Sequence, residues 1–141
     1  MGKNIGQLSK RINAIAEHTT GIRKFKYDSR ALAWSEADAE CKKWGGNLLT
    51  IKSQVENEYF KNEMRRRGLG GAVWIGLSDQ KEEGNFIWTS DEEGFYYNWD
   101  QGEPNGGRVE NYVEFFVGRD GKWNDSDAKR KRPFVCEKRE L

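Results

Sequence analysis

Residues 102–105 read Gly-Glu-Pro-Asn, and residues 121–125 read Gly-Lys-Trp-Asn-Asp. With Glu110 between them, these segments place carboxylates and amides in one short, glycine-rich part of the chain. Ca²⁺ prefers such donors, because it takes about 6–8 oxygen ligands from carboxylates, amide carbonyls, backbone and water. A cis peptide bond at Pro104 would let the side chains on either side of it converge. The sequence therefore offers the donors of a calcium site.

Length and composition set the outer limits of the interpretation. A chain of 141 residues predicts one domain, and its 6 Trp, 7 Phe and 5 Tyr can fill a core. The net charge of +1 gives no electrostatic argument for nucleic acid or membrane partners. No apolar run is long enough to span a membrane, and the start of the chain has neither a secretory signal nor a myristoylation motif.

Cys41 and Cys136 are the only two cysteines. If they pair, the bridge closes a loop that the chain-entropy model values at roughly 4–5 kcal/mol. Two buried free thiols are the alternative, and the cysteines alone leave both equally open.

The first 22 residues carry a short heptad pattern of apolar side chains. Isoleucine at both core positions favours three or more strands, so residues 1–22 are predicted to form a helical neck and a trimeric coiled coil. A helix packed on its own domain and a disordered lead-in are the alternatives, since the pattern is shorter than three heptads. The pattern consists of Ile5, Leu8, Ile12, Ile15 and Ile22.

Residues 23–141 are predicted to form one domain. Alternating apolar and basic residues over 22–27 predict an opening strand. Ser35 with Asp38 predicts a capped helix that ends at residues 45–46, with Ala37, Cys41 and Trp44 on its inner face. Ser53 with Glu56 predicts a second helix that ends by residues 68–71, with Val55, Tyr59 and Phe60 facing inward.

Beyond residue 71 the pattern changes to short apolar runs between turn residues. Such runs are typical of strands, and two helices followed by short strands predict an α+β domain. The runs are 73–77, 86–88, 112–116 and 134–136.

Several further motifs occur along the chain, each once and in a characteristic order. They are Trp34 with Ala37, Ala39 and Cys41; Trp74-Ile75-Gly76-Leu77; Asn98-Trp99; Gly102-Glu103-Pro104-Asn105; Val113-Glu114; Gly121-Lys122-Trp123-Asn124-Asp125; and Pro133-Phe134-Val135-Cys136-Glu137.

On these motifs the chain resembles the C-type lectin domain, over roughly residues 24–139. The resemblance implies an α+β C-type lectin-like fold of two helices, two small antiparallel sheets and a long calcium-binding loop region. It also implies a long disulfide between Cys41 and Cys136.

The resemblance further implies a principal Ca²⁺ site that also binds sugar. Two vicinal hydroxyls of the sugar would coordinate the ion while hydrogen bonding to the carboxylates and amides around it. In this family Glu-Pro-Asn goes with mannose-type sugars, which include mannose, glucose, N-acetylglucosamine and fucose, whereas Gln-Pro-Asp goes with galactose. The site residues implied are Glu103, Asn105, Glu110, Asn124 and Asp125.

The chain departs from the family pattern in two places. Tyr112 and Ala128 replace the cysteines of an inner disulfide, so the loop with Asn124 and Asp125 loses a covalent restraint. Asp79 and Glu83 match acids of an auxiliary calcium site, but Gly106 and Asn111 stand where further acids are expected. That site is expected to be weak, and a solvated loop is the alternative.

Two basic clusters occur. Positive charge at 65–67 is explained by a helix C-terminus. The run Lys129 to Arg132 is interpreted either as a solvated turn or as a contact for anionic, sulfated or phosphorylated glycans.

An enzyme is not expected. The single histidine, His18, lies in the predicted neck and gives no support for histidine catalysis or a zinc site. Glu103 with Glu110 or Asp125 could formally serve glycoside hydrolysis, but bound calcium would keep those acids ionised. A module that binds a protein or other non-sugar ligand is the stronger alternative. The disulfide and the need for calcium predict a secreted or extracellular protein, with no signal in this chain.

Overall fold

The computed structural model of the protein describes residues 22–140. The predicted neck, apart from Ile22, lies outside the described residues. The elements are β1 Ile22–Leu32, α1 Trp34–Trp44, β2 Asn47–Leu48, α2 Gln54–Arg66, β3 Ala72–Ser78, β4 Ile87–Trp88, β5 Tyr112–Phe116, β6 Lys122–Ser126 and β7 Arg132–Glu140, with two short 3-10 turns at Gly107–Val109 and Val117–Arg119.

The α+β class is confirmed, with two helices and one mixed sheet. The sheet order is β1-β7-β3-β5-β6, while β2 adds to β7 and β4 adds to β3. The two expected antiparallel sheets are continuous, because Trp74 of β3 pairs in parallel with Phe134 of β7. All other pairings between strands are antiparallel.

The helix α1 begins earlier than predicted. Its N-cap is Ala33, whose backbone N–H donates to the Glu36 carboxylate at 2.9 Å, so Ser35 lies inside the helix. An acidic side chain at the third helical position can satisfy the N-cap amide even where the N-cap residue has no side-chain acceptor. The helix ends before Gly45 as predicted.

The helix α2 is capped as predicted but faces the core differently. Ser53 Oγ accepts the Glu56 N–H at 3.1 Å. Phe60 is buried, whereas Val55 is 80% exposed and Tyr59 is 52% exposed, so two of the three predicted inward residues were wrong. The inner face is completed by Asn57, Lys61 and Met64.

The two helices and the sheet enclose two clusters of buried side chains. One cluster packs α1 against the sheet around the Cys41–Cys136 disulfide, which confirms that pairing. The other cluster lies under α2 and contains Phe115 and Trp123. Gly76 crosses close to β2, since a Cβ at this position would come within 2.7 Å of the Leu48 carbonyl oxygen. This close approach explains why glycine occurs within β3.

Candidate functional site

A long loop between β4 and β5 carries Glu103, Asn105 and Glu110. Its stem runs beside β6, where the Trp123 N–H donates to the Asn98 carbonyl at 2.8 Å and the Asp100 N–H donates to the Trp123 carbonyl at 2.7 Å. These bonds fix the loop to the strand that carries Asn124 and Asp125. The sheet therefore positions both halves of the predicted site.

Asp125 joins the loop to β6. Its side chain is buried, with 1% of its surface exposed. Its two carboxylate oxygens accept the backbone N–H groups of Asn105 at 3.1 Å and Gly106 at 3.0 Å. The carboxylate thus holds the segment that follows Pro104 against the end of the sheet.

Glu103 and Asn105 converge across Pro104. The Glu103–Pro104 peptide bond is cis. Asn105 Nδ2 donates to Glu103 Oε2 at 3.3 Å, while Glu103 Oε1 is buried without a hydrogen-bond partner. Burial, the adjacent Asp125 carboxylate and the negative charge of Glu110 raise the pKa of Glu103 to about 7. The local structure therefore crowds negative charge at this point.

Glu110 lies against the backbone of the same loop. A Cβ at Gly106 would collide with the Glu110 side chain, so only glycine fits there in this arrangement. Burial and the charge of Asp125 raise the pKa of Glu110, while the Arg130 guanidinium opposes the rise. Glu110 therefore adds to the negative charge that surrounds Glu103.

Asn124 is held by Glu114, a residue to which the sequence analysis assigned no role. Glu114 of β5 lies opposite Asn124 of β6 in the strand register. Its carboxylate, 3% exposed, accepts Asn124 Nδ2 at 2.8 Å and Arg132 Nε at 2.9 Å. The only sequence signal was the acid within the Val113-Glu114 motif. This arrangement leaves Asn124 Oδ1 as the available ligand atom.

These donors fit a hard cation chemically. Within residues 22–140, no three acidic, histidine or cysteine side chains are grouped so that they could hold a metal ion by themselves. Two members of the predicted set, Asn105 and Asn124, are amides. Each donates a hydrogen bond from Nδ2 to a carboxylate, which leaves its Oδ1 available to a cation. A divalent cation would satisfy the unpartnered Glu103 oxygen and offset the charge that raises its pKa.

The two residues predicted for an auxiliary calcium site lie beside the first set. Asp79 is 2% exposed, and its Oδ2 accepts the Gly84 N–H at 2.9 Å. Asp79 and Glu83 line an open depression of about 520 Å³ that also borders Asn105 and Asp125.

Part of the wall of this depression is aromatic. It includes Tyr97 and Trp99, whose rings lie parallel at 6.2 Å between centroids, and Phe86 meets Trp99 edge-on at 5.0 Å. Tyr97 and Trp99 belong to the loop stem, which is bonded to β6 through residues 98 and 100.

The positions of the missing inner disulfide are used differently. The Tyr112 ring stacks on Trp34 of α1 at 4.8 Å, and its hydroxyl donates to Gln80 at 3.3 Å. Ala128 is exposed in the turn after β6. Tyr112 thus strengthens the contact with α1.

The basic run 129–132 divides into two parts. Arg132 is half-buried and paired with Glu114. It is therefore not available to the anionic ligand for which the sequence analysis considered it. Lys129, Arg130 and Lys131 are exposed in the turn between β6 and β7.

Among residues 22–140, no helix is both long and apolar enough to cross a membrane.

Known proteins resemble this chain in sequence and in structure. A protein named "Lectin" from Pleurodeles waltl is 34% identical in an alignment 120 positions long that covers 79% of this chain and 67% of that protein. The cow C-type carbohydrate-recognition domain of CD23, solved in the presence of a GlcNAc2Man3 oligosaccharide, superposes with a TM-score of 0.74 at 31% identity, covering 84% of this chain and 89% of that one. A calcium-independent type II antifreeze protein superposes with a TM-score of 0.77 at 29% identity, covering 86% of this chain and 89% of that one.

The family model for the Lectin C-type domain matches residues 30–138, which span both helices, strands β2 to β6 and most of β7. The chain therefore belongs to the C-type lectin domain family, which is known for carbohydrate-binding modules that are not enzymes.

Proposed function

We propose that this protein is a calcium-dependent lectin for mannose-type sugars. The observation that carries the proposal is the attachment of the Glu103–Asn105 segment to Asp125 of β6. This attachment gathers the acid and amide types that coordinate a hard cation and hydrogen bond to hydroxyl groups.

Five residues would hold the ion, namely Glu103, Asn105, Glu110, Asn124 and Asp125. When bound, Ca²⁺ supplies coordination positions for two vicinal hydroxyl oxygens. The carboxylates of Glu103 and Glu110 would accept hydrogen bonds from these hydroxyls. The Asn105 and Asn124 amides donate to their remaining lone pairs, since each amide has two N–H groups and uses one on a carboxylate.

The order of acid and amide around Pro104 supports the choice of sugar. A carboxylate at 103 and an amide at 105 fix which hydroxyl donates on each side of the pair. By the family correspondence, this order selects the equatorial 3- and 4-hydroxyls of mannose, glucose and N-acetylglucosamine, and the equivalent pair of fucose.

Asp79 and Glu83 are proposed as a weak auxiliary calcium site at most. They border the same depression, yet Gly106 contributes no side-chain oxygen to it. Function is assigned to the principal set.

The test is competition for a mannose-coated surface by mannose, N-acetylglucosamine and galactose, with Ca²⁺ and then with excess chelator. We expect the first two sugars to compete better than galactose and chelator to abolish binding. Preference for galactose would refute the mannose assignment, and binding that survives chelation would refute the calcium mechanism.

A module for a non-sugar ligand is the second candidate. The similarity to a calcium-independent antifreeze protein favours it, because the same fold there carries a different function. A glycan array separates the two, since this candidate predicts no sugar binding with or without calcium.

Export from the cell is part of the proposal. The Cys41–Cys136 bridge suits an oxidising compartment, and weak calcium sites suit the calcium level outside cells. Labelling free thiols in the protein purified from its native source tests this, because a reduced pair would contradict it.

A further inference from the structure

The turn between β6 and β7 presents three cations to solvent. Lys129, Arg130 and Lys131 are exposed. Within residues 22–140, none of the three takes part in an ion pair, whereas the adjacent Arg132 is paired with Glu114 at 2.9 Å. Three neighbouring like charges repel one another, and a bound anionic group would offset that repulsion.

The backbone of this turn is held in place. Asp127 Oδ1 accepts the N–H groups of Lys129 at 2.9 Å and of Arg130 at 3.1 Å. On the far side, the Arg132 pair ties the start of β7 to Glu114. The backbone is therefore anchored on both sides, while the three side chains remain free to meet a ligand.

The turn borders the proposed sugar site. It begins two residues after Asp125, and Glu114 bonds both Arg132 and Asn124. A sugar held by Glu103, Glu110 and Asn124 would therefore lie within the field of these cations.

We propose that Lys129, Arg130 and Lys131 bind an anionic ester, a sulfate or a phosphate, carried by a mannose-type sugar at this site. The inference rests on the proposed function. The ester chemistry fits because sugar 3- and 4-hydroxyls are used at the ion, which leaves the 6-position free to carry the charge. Arginine and lysine are the usual partners of such oxyanions.

The experiment titrates the full chain with calcium against four probes: mannose, mannose 6-phosphate, N-acetylglucosamine and N-acetylglucosamine 6-sulfate. At low salt we expect each ester to bind about tenfold more tightly than its parent sugar. This factor corresponds to the combined binding free energy of a few exposed ion pairs. The advantage should vanish near 0.5 M salt, where charges are screened beyond about 4 Å.

The variant Lys129→Gln/Arg130→Gln/Lys131→Gln should lose this advantage and keep the wild-type affinity for mannose. A matched control, Lys26→Gln/Lys42→Gln/Lys43→Gln, removes the same charge from β1 and α1 and should keep the advantage. A gain for one ester alone still supports the inference and identifies that combination of sugar and anion as the ligand.

Calcium-dependent mannose binding without tighter binding of either ester would overturn this inference and leave the proposed function intact. An equal loss of the ester advantage in both triple variants would also overturn it, because net charge would then explain the effect. Failure of all four sugars to bind would refute the proposed function and this inference together.

Discussion

Glu103 and Asn105 flank one proline and differ in their hydrogen bonding. The Glu103 carboxylate accepts hydrogen bonds, whereas the Asn105 amide donates through its Nδ2. Exchanging them in Glu103→Gln/Asn105→Asp keeps the size of both side chains and reverses this order. We expect the ratio of mannose to galactose affinity to shift toward galactose by at least about tenfold, or about 1.4 kcal/mol.

Competition assays with both sugars measure this ratio. Val109→Ala, an exposed position on the same loop, is the control and should leave the ratio unchanged. A double variant that binds both sugars more weakly without a change of preference would show that the triplet supports the site but does not set specificity.

The crowded carboxylates predict that calcium binding depends on pH. The pKa of Glu103 lies at about 7 without the ion, above the ordinary glutamate value of 4.5. The ion requires the ionised form, so binding expels a proton and affinity falls as pH decreases through 7.

Isothermal titration at pH 8 and pH 6 should give an affinity about tenfold lower at the acidic value, since the ionised fraction falls by about that factor. Repeating the titration in buffers of different ionisation enthalpy counts the protons released. Equal affinities with no proton release would contradict the charge crowding.

Much of the candidate site was predictable, but its supports were not. The motifs identify Glu103, Asn105 and Asp125 by residue type and order. The bonds from Asp125 to the loop backbone, and from Glu114 to Asn124, depend on how strands pair and where the loop folds back. A single sequence does not specify that register, so Glu114 could not be assigned a role.

Among the elements, α2 shows where periodicity misleads. Its apolar residues Val55 and Tyr59 point outward, whereas the polar Asn57 is buried. Asn57 Oδ1 accepts Trp123 Nε1 at 2.9 Å and its Nδ2 donates to the Gly121 carbonyl at 3.1 Å. The polar Asn57 thus occupies a place on the inner face of α2 where an apolar residue would be expected, because both ends of its amide are hydrogen-bonded. Hydrophobic patterning does not predict such a position.

Asn57→Ala should therefore lower the free energy of unfolding by about 1–3 kcal/mol, because it leaves buried donor and acceptor groups unpaired. Val55→Ala, on the exposed face of the same helix, is the control and should change stability by less than about 0.5 kcal/mol. Urea unfolding measures both. A larger loss for the valine variant would mean that the sequence-based orientation of α2 was right.

Strands β5, β6 and β7 meet at Glu114, which replaces some of the restraint that an inner disulfide would give. Glu114→Gln should weaken calcium binding by about tenfold, as is typical when a residue that orients a metal ligand is changed. Glu63→Gln, which breaks a surface pair with Arg66, is the matched control.

Calcium affinity and the melting temperature without calcium should be measured for both variants. A drop in melting temperature with unchanged calcium affinity would assign Glu114 a structural role only.

At the level of the complete chain, the predicted neck remains a prediction. Residues 1–22 carry an isoleucine-rich heptad seam, for which we expect a trimer. Three weak sites presented together would bind multivalent glycans far more tightly than single sugars.

Light scattering of the full chain at micromolar concentration should give three times the mass of one full chain, whereas a chain that starts at Ile22 should give the mass of a monomer. The shorter chain should keep its affinity for free mannose and lose only its avidity for a mannose-coated surface. A full chain of monomer mass would refute the trimer.

Ile22 pairs with Glu140, so the first and last described residues of the domain lie at the same end of the sheet. The polypeptide enters and leaves the domain side by side, and β7 then extends about 26 Å to Arg132, at about 3.3 Å per residue, before it reaches the Glu114 cluster. A tether attached at residue 22 would therefore sit at the far end from the sugar face. Because residues 22 and 140 lie together at that end, the domain could be inserted into a longer polypeptide, or repeated within one, without covering the loop that carries the candidate site.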